Sequence, residues 1–205
     1  SRPSIAPKPS GLSSRGSPAP GATAAGGAAG AEAPPHVRAF DEATEGILQR
    51  WTVQGAAIGG DADKATKDAV AIFAALRSFL WTAAGRKEAT PDEFPALLQP
   101  LSSKIEALSS WRESRRNTAH FNHASAVAEG IPAVGWVTVK PTPAPYVKEM
   151  IDSSMFYVNR VLKDNKEHAD WVNTWRELLQ ALHTFVRQTH TTGLVWNSAP
   201  GSTPP

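Results

Sequence analysis

The chain has 205 residues, no cysteine and a formal charge of +2, which suits one domain of ordinary size and excludes disulfides and thiolate metal sites. Arg2, Lys8 and Arg15 against Glu32 place that excess in residues 1–35 and leave the remainder formally neutral, so the sequence pI near 9.0 gives no field for gathering a polyanion. No signal-peptide core opens the chain and no apolar run reaches the length of a membrane span. The expectation is a soluble cytoplasmic protein.

Residues 1–36 are rich in Pro, Gly, Ala and Ser and bury too little to offset the entropy of ordering; they are expected to be a flexible linker. A helical domain over 37–197 follows, then the start of a proline-rich linker over 198–205. Phe40, Ile47, Leu48 and Trp51 fall on one helical face, and Gly59-Gly60 end that first helix. Asp61 or Asp63 caps a second helix, which carries Val70, Phe73, Leu80 and Trp81 to Gly85. Thr90-Pro91-Asp92-Glu93 reads as a capping box. Pro95 and Pro100 predict a short turn and a fresh helix near Pro100, with Leu101, Ile105, Leu108 and Trp111 on its face. Arg112, Arg115 and Arg116 close it at the end that favours cations.

A fourth helix is expected from about Thr118 through Ala133. The stretch Gly135 to Met150 then carries Pro141, Pro143 and Pro145. It reads as an extended connector of polyproline character, pinned to the core by Trp136 and Val137. Helix five runs from Pro145 to about Lys163, burying Val147, Ile151, Met155, Val158 and Leu162. The last helix, from about Lys166 to Thr192, carries Trp171, Trp175, Leu178, Leu182 and Phe185. Gly193 stops it, and Leu194, Val195 and Trp196 fold back over the bundle. The fold class is all-α, an antiparallel bundle of about six helices with disordered linkers at both ends.

Catalytic patterns are weak. His120 and His123 are three apart, but no cysteine or third nearby histidine completes a zinc set, so they read as polar histidines at a helix start. His183 and His190, two turns apart, read as partly exposed. No G-x-S-x-G elbow is present, Gly55 to Gly60 lacks the Lys-Ser or Lys-Thr of a phosphate loop, and Asp41-Glu42 and Asp92-Glu93 sit where helix dipoles account for them. The reading is a non-enzyme with no cofactor and no metal. Trp51, Trp81, Trp111, Trp171 and Trp175 read as core. The charged residues of helix five fall off its apolar stripe and read as exposed.

Several short blocks in order carry a family likeness: Phe121-Asn122-His123, Gly135-Trp136-Val137, Lys140-Pro141, Pro145 to Met150, Phe156 to Lys163, and His190-Thr191-Thr192-Gly193-Leu194 with Trp196. Together they resemble the N-terminal helical domain of cyclase-associated protein. The resemblance implies an actin regulator that works with cofilin at filament ends, promoting subunit loss at the pointed end and recycling of monomers. It implies adenylyl cyclase as a partner through parts of the full-length protein outside this sequence, a homodimer, and a place in the cytoplasmic actin cytoskeleton. The candidate partner-binding residues are Lys140, Tyr146, Lys148, Glu149, Asn159, Arg160, Lys163 and Asp164, with Arg112, Arg115 and Arg116 as a second cluster. The Gly- and Ala-rich linker and the short Asp164 to His168 link depart from animal members. A generic helical adaptor, docking one partner helix in a groove, is the alternative.

Overall fold

The computed structural model describes residues 32–199; the linker expectations for residues 1–31 and 200–205 lie outside the described residues. Six α-helices follow in order, α1 (Pro35–Ile58), α2 (Gly60–Gly85), α3 (Phe94–Glu113), α4 (Phe121–Gly130), α5 (Pro143–Asp164) and α6 (Ala169–Thr189). Two 3₁₀ segments, Ile131–Thr138 and Lys166–His168, join α4 to α5 and α5 to α6. No strand occurs among the described residues, and the fold is the expected all-α bundle. In it α1 packs on α2 and α6, α5 on α4 and α6, and α2 on α3 and α4.

The α1–α2 reversal turns on Gly59 and Gly60, at φ 78° and 54°, a region that side chains with a Cβ rarely enter. Just before it, Gly55 lets the two helices touch, since a Cβ there would lie 2.5 Å from Thr66 Oγ1. Helix α2 is long and apolar enough to span a membrane by length and composition, with mean hydropathy 1.2 over its best window. Its inner face, from Ala62 through Ile72, Phe73, Leu76 and Leu80, is instead buried in the bundle.

The core is built from rings. Trp51 stacks on Trp175 with centroids 4.8 Å apart and tilts against Trp171 at 5.5 Å, and Phe40 meets Phe73 and Phe185. Three of the indole N–H groups find partners: Trp51 donates to the Trp171 carbonyl at 3.1 Å, Trp171 to Thr66 Oγ1 at 2.8 Å and Trp175 to Ser154 Oγ at 3.0 Å. Trp81 and Trp111 depart from the expectation of core: both are half-buried. Each is covered by cations instead, Arg77 over Trp81 and Lys64 and Arg115 over Trp111.

Helices α3 and α5 take in prolines expected to lie outside them. α3 does not break at Pro95 or Pro100; it runs through both. Pro95 lies in the first turn, where its missing N–H is free, and Pro100 is exposed, so water can satisfy the carbonyl it orphans. The capping box before α3 forms in both directions, Thr90 N–H to Glu93 Oε2 at 3.0 Å and Glu93 N–H to Thr90 Oγ1 at 3.3 Å.

Residues 114–120 are turns rather than the start of helix four, and α4 tightens into a 3₁₀ helix after Gly130. The connector is therefore extended only over 139–142; its first four residues, 135–138, end the 3₁₀ helix, and α5 takes Pro143 and Pro145 into its first turn. Trp136 is fully buried against Phe185 and His190, which pins the connector as expected. At the far end Asn197 N–H bonds the carbonyls of Ala83 and Arg86, and Trp196 packs edge-on against Phe79 and Phe94.

Candidate partner-binding surface

Helix α5 divides its circumference sharply. Val147, Ser154, Val158 and Val161 are buried, whereas Ile151, Met155 and Leu162, expected inside, are only half-buried. At roughly 100° per residue the four buried positions cluster within about 60° of arc, and the other three sit on its shoulder. On the opposite side, counted from Lys148, come Asn159 at about 20°, Lys163 at about 60°, Phe156 at about 80°, Glu149 at about 100° and Arg160 at about 120°. All six are exposed.

Phe156, 56% exposed, stands near the middle of this face. It is the residue that the sequence reading left out, although the same arithmetic puts it among the charges rather than on the apolar stripe. Arg160 lies over its ring at 4.5 Å. The ring of Phe156 meets Tyr157 edge-on at 5.0 Å, and Tyr157 meets Phe121 of α4 edge-on at 6.2 Å. Arg112, from the end of α3, lies over the Tyr157 ring at 5.9 Å. The two candidate clusters, α5 and the α3 terminus, are thus joined by a ladder of three aromatic rings.

The cations on this surface differ in how free they are. Arg160 and Lys163 have no ion-pair partner among the described residues. Lys148 is paired with Asp152 one turn on at 2.9 Å. Arg112 is largely withdrawn from solvent and paired with Glu129 and, at 3.0 Å, Glu113. Arg116 also pairs with Glu113, and Arg115 stacks over Trp111. Asp164 accepts from Asn122 Nδ2 at 3.4 Å, tying the end of α5 to α4.

Two candidates stand apart from the ladder. Tyr146 is half-buried; its hydroxyl donates to the Pro132 carbonyl at 2.8 Å, and burial together with Glu149 raises its pKa. Lys140 pairs with Glu88 across the connector and packs against Gly193. Both hold the connector in place.

His120 and His183 are half-buried, His183 as expected, whereas His123 and His190 depart from the expectation. His123 and His190 are buried, at 0% and 1% exposure, and a third histidine, His168, does reach His123. Burial, reinforced by neighbouring imidazoles, pushes His123 and His190 down to about 3. Among the described residues no three His, Asp or Glu side chains are arranged to hold a metal ion.

The family model described as CAP, N-terminal domain, matches residues 40–194. The chain belongs to the CAP N-terminal domain family. Human adenylyl cyclase-associated protein 2 is 39% identical over 167 residues, covering 80% of this chain and 35% of that protein. Human adenylyl cyclase-associated protein 1 is 39% identical over 171 residues, covering 82% and 36%. The chain therefore spans about a third of the length of the curated relatives it matches. The N-terminal domain of the adenylyl cyclase-associated protein from Dictyostelium discoideum superposes with a TM-score of 0.75 at 30% identity, covering 78% of this chain and 94% of that one. A crystal structure of the N-terminal domain of CAP that indicates variable oligomerisation gives 0.77 at 29% identity, covering 82% and 96%. In this CAP domain the ladder from Arg112 to Arg160 joins one exposed ring, Phe156, to the half-buried Tyr157 and Phe121.

Proposed function

We propose that this domain acts in actin regulation, binding cofilin-decorated filament ends through the outer face of α5 and promoting subunit loss at the pointed end. The observation that carries the reading is Phe156, exposed at the centre of that face and flanked by the unpaired cations Arg160 and Lys163. Aromatic side chains and arginine are enriched in protein interfaces, and a few such anchors carry most of the binding energy. Actin presents an acidic surface, so cations facing it speed encounter and make binding salt-sensitive. The mechanism needs no covalent step: a domain that binds the weakened arrangement of end subunits better than the intact one shifts the end toward dissociation. Adenylyl cyclase is a proposed partner of regions outside this sequence, and the cytoplasmic actin cortex the proposed location.

The test is depolymerisation of cofilin-decorated filaments by the domain carrying Lys148→Ala, Arg160→Ala and Lys163→Ala together. Helicity and melting are expected to stay nearly intact while depolymerisation slows several-fold. Phe156→Ala alone is expected to weaken co-sedimentation at least about tenfold, the loss of one hot-spot residue. Full activity from the folded triple variant moves the contact to another face, with Arg115 and Arg116 the next candidates.

A second reading has its own observation. The half-buried Ile151 and Met155 line a groove of about 560 Å³ between α5 and α6, with Lys148, Arg176, Gln180 and His183 on its walls. Such a groove suits a partner helix or a second copy of the domain. Sedimentation that shows a dimer lost in Met155→Glu, with filament activity kept, separates this role from the first.

A further inference from the structure

Three imidazoles outside the partner face meet where α4 begins. His120 and His123 enter from the start of α4, and His168 comes from the 3₁₀ turn before α6. Their ring centroids lie 4.9, 5.0 and 6.0 Å apart. His123 Nε2 and His168 Nδ1 are 2.9 Å apart, a hydrogen bond that needs one proton between the two nitrogens. A proton on both turns the bond into a contact between like charges.

The surroundings offer little to stabilise that second proton. His123 is fully buried, its Nδ1 has no partner, and its ring lies 5.2 Å from that of Trp171. The titratable groups that face it are His120 beside it, and His168 and Glu167 from the 3₁₀ turn. Asp61 of α2 acts on His120. Glu167 stands 3.9 Å from His168 Nε2 and is mostly exposed. Desolvation first, then the two imidazoles, hold His123 neutral down to about pH 3.

The position of the cluster gives it a consequence. Between His120 and His123 lie Phe121 and Asn122, which hold Tyr157 and Asp164 of α5. Loss of the His123–His168 contact therefore releases one end of the aromatic ladder.

We propose that the His120–His123–His168 cluster is an acid-sensitive clamp: uptake of a proton by the buried His123 frees the start of α4 from the turn before α6 and dismantles the Phe121 side of the partner surface, while the tryptophan core stays folded. Its functional meaning rests on the reading of α5 given above; its physical content does not. In the open segment His123 regains the ordinary histidine pKa near 6.5, so opening takes up a proton. Each unit of pH below about 6 then favours opening about tenfold, until the closed form itself protonates.

The experiment is amide hydrogen exchange of the isolated domain between pH 7 and pH 4.5, corrected for the intrinsic rate. Amides of residues 121–126 and 166–169 are expected to show an opening constant that rises about tenfold per unit below pH 6. Those of residues 175–182 in α6 are expected to remain far better protected throughout. In His168→Gln the buried His123 remains, so the slope is kept; in His123→Phe it disappears. Should His123→Phe fail to fold, the ring resonances of His123 in the unmodified domain decide: an ordinary titration near pH 6.5 overturns the clamp. So does protection that is flat with pH over residues 121–126, or that falls in step with α6. A clamp that behaves as described in a domain that ignores cofilin-decorated filaments leaves the device standing and removes the function proposed for α5.

Discussion

Ser154 lies fully buried on the inner face of α5 and spends its hydroxyl twice, donating to the Ala126 carbonyl at 2.6 Å and accepting from Trp175 Nε1 at 3.0 Å. One oxygen thus links α4, α5 and α6. Ser154→Ala strands an indole N–H in the core, and a buried orphan of that kind costs about 1–3 kcal/mol. Trp175→Ala removes the ring itself and is expected to cost about 3–5 kcal/mol. Urea denaturation checks both; a loss under about 1 kcal/mol for Trp175→Ala would place the ring at the surface. The tryptophan was legible in its spacing to Trp171, Leu178 and Leu179. The serine was not, because its partners lie 21 and 28 residues away. The same blindness misplaced His123: its neighbour His168 is 45 residues off, so the pair read as a lone i, i+3 motif on a polar turn.

Among the elements, the amphipathic helices were readable and the proline-containing ones were not. Periodicity reports which face is apolar, and α6 and the exposed side of α5 emerged from it directly. It says nothing about whether a neighbouring element tolerates a missing N–H, which decided Pro95, Pro100 and Pro143. Phe156 lies off the apolar stripe of α5, and its angle around the helix assigns it outside among the charges. Pro100 makes the element-scale point testable. It is exposed within α3, where proline forfeits the bond to the Ala96 carbonyl but also restricts the unfolded chain. Pro100→Ala should restore that bond with no packing lost, for a net gain of about 1 kcal/mol and a rise of about 2–4 °C in Tm. A fall in Tm would show that Pro100 sets a bend that α3 needs.

At the scale of the whole molecule, neutral histidines at both ends of the bundle make stability depend on pH. His123 is walled by Trp171, and His190 by Trp136, Phe185 and His36, with its Nδ1 accepting from the Val195 N–H at 3.1 Å. Both pKa values fall from 6.5 to about 3, burial being the largest cause in each. A histidine with a depressed native pKa binds fewer protons folded than unfolded, so its contribution is whole above about pH 6.5 and is lost as pH falls toward 3. Each group contributes about 1.4 kcal/mol per pH unit well inside that window, less near its upper edge, so the pair should remove about 3 kcal/mol between pH 6.5 and pH 5. His36, His120 and His183, also depressed, act in the same direction. The depressed carboxylates Glu93 and Glu167 weaken the fold only at lower pH, below the ordinary carboxylate value. Urea unfolding followed by tryptophan fluorescence at half-unit steps from pH 7.5 to 5 measures the slope. His190→Gln should remove about half of the slope between pH 6.5 and pH 5 and leave that of the α4 clamp unchanged, since the two sites share no contact. Stability that is flat from pH 6.5 to 5 would show that both rings reach water in solution.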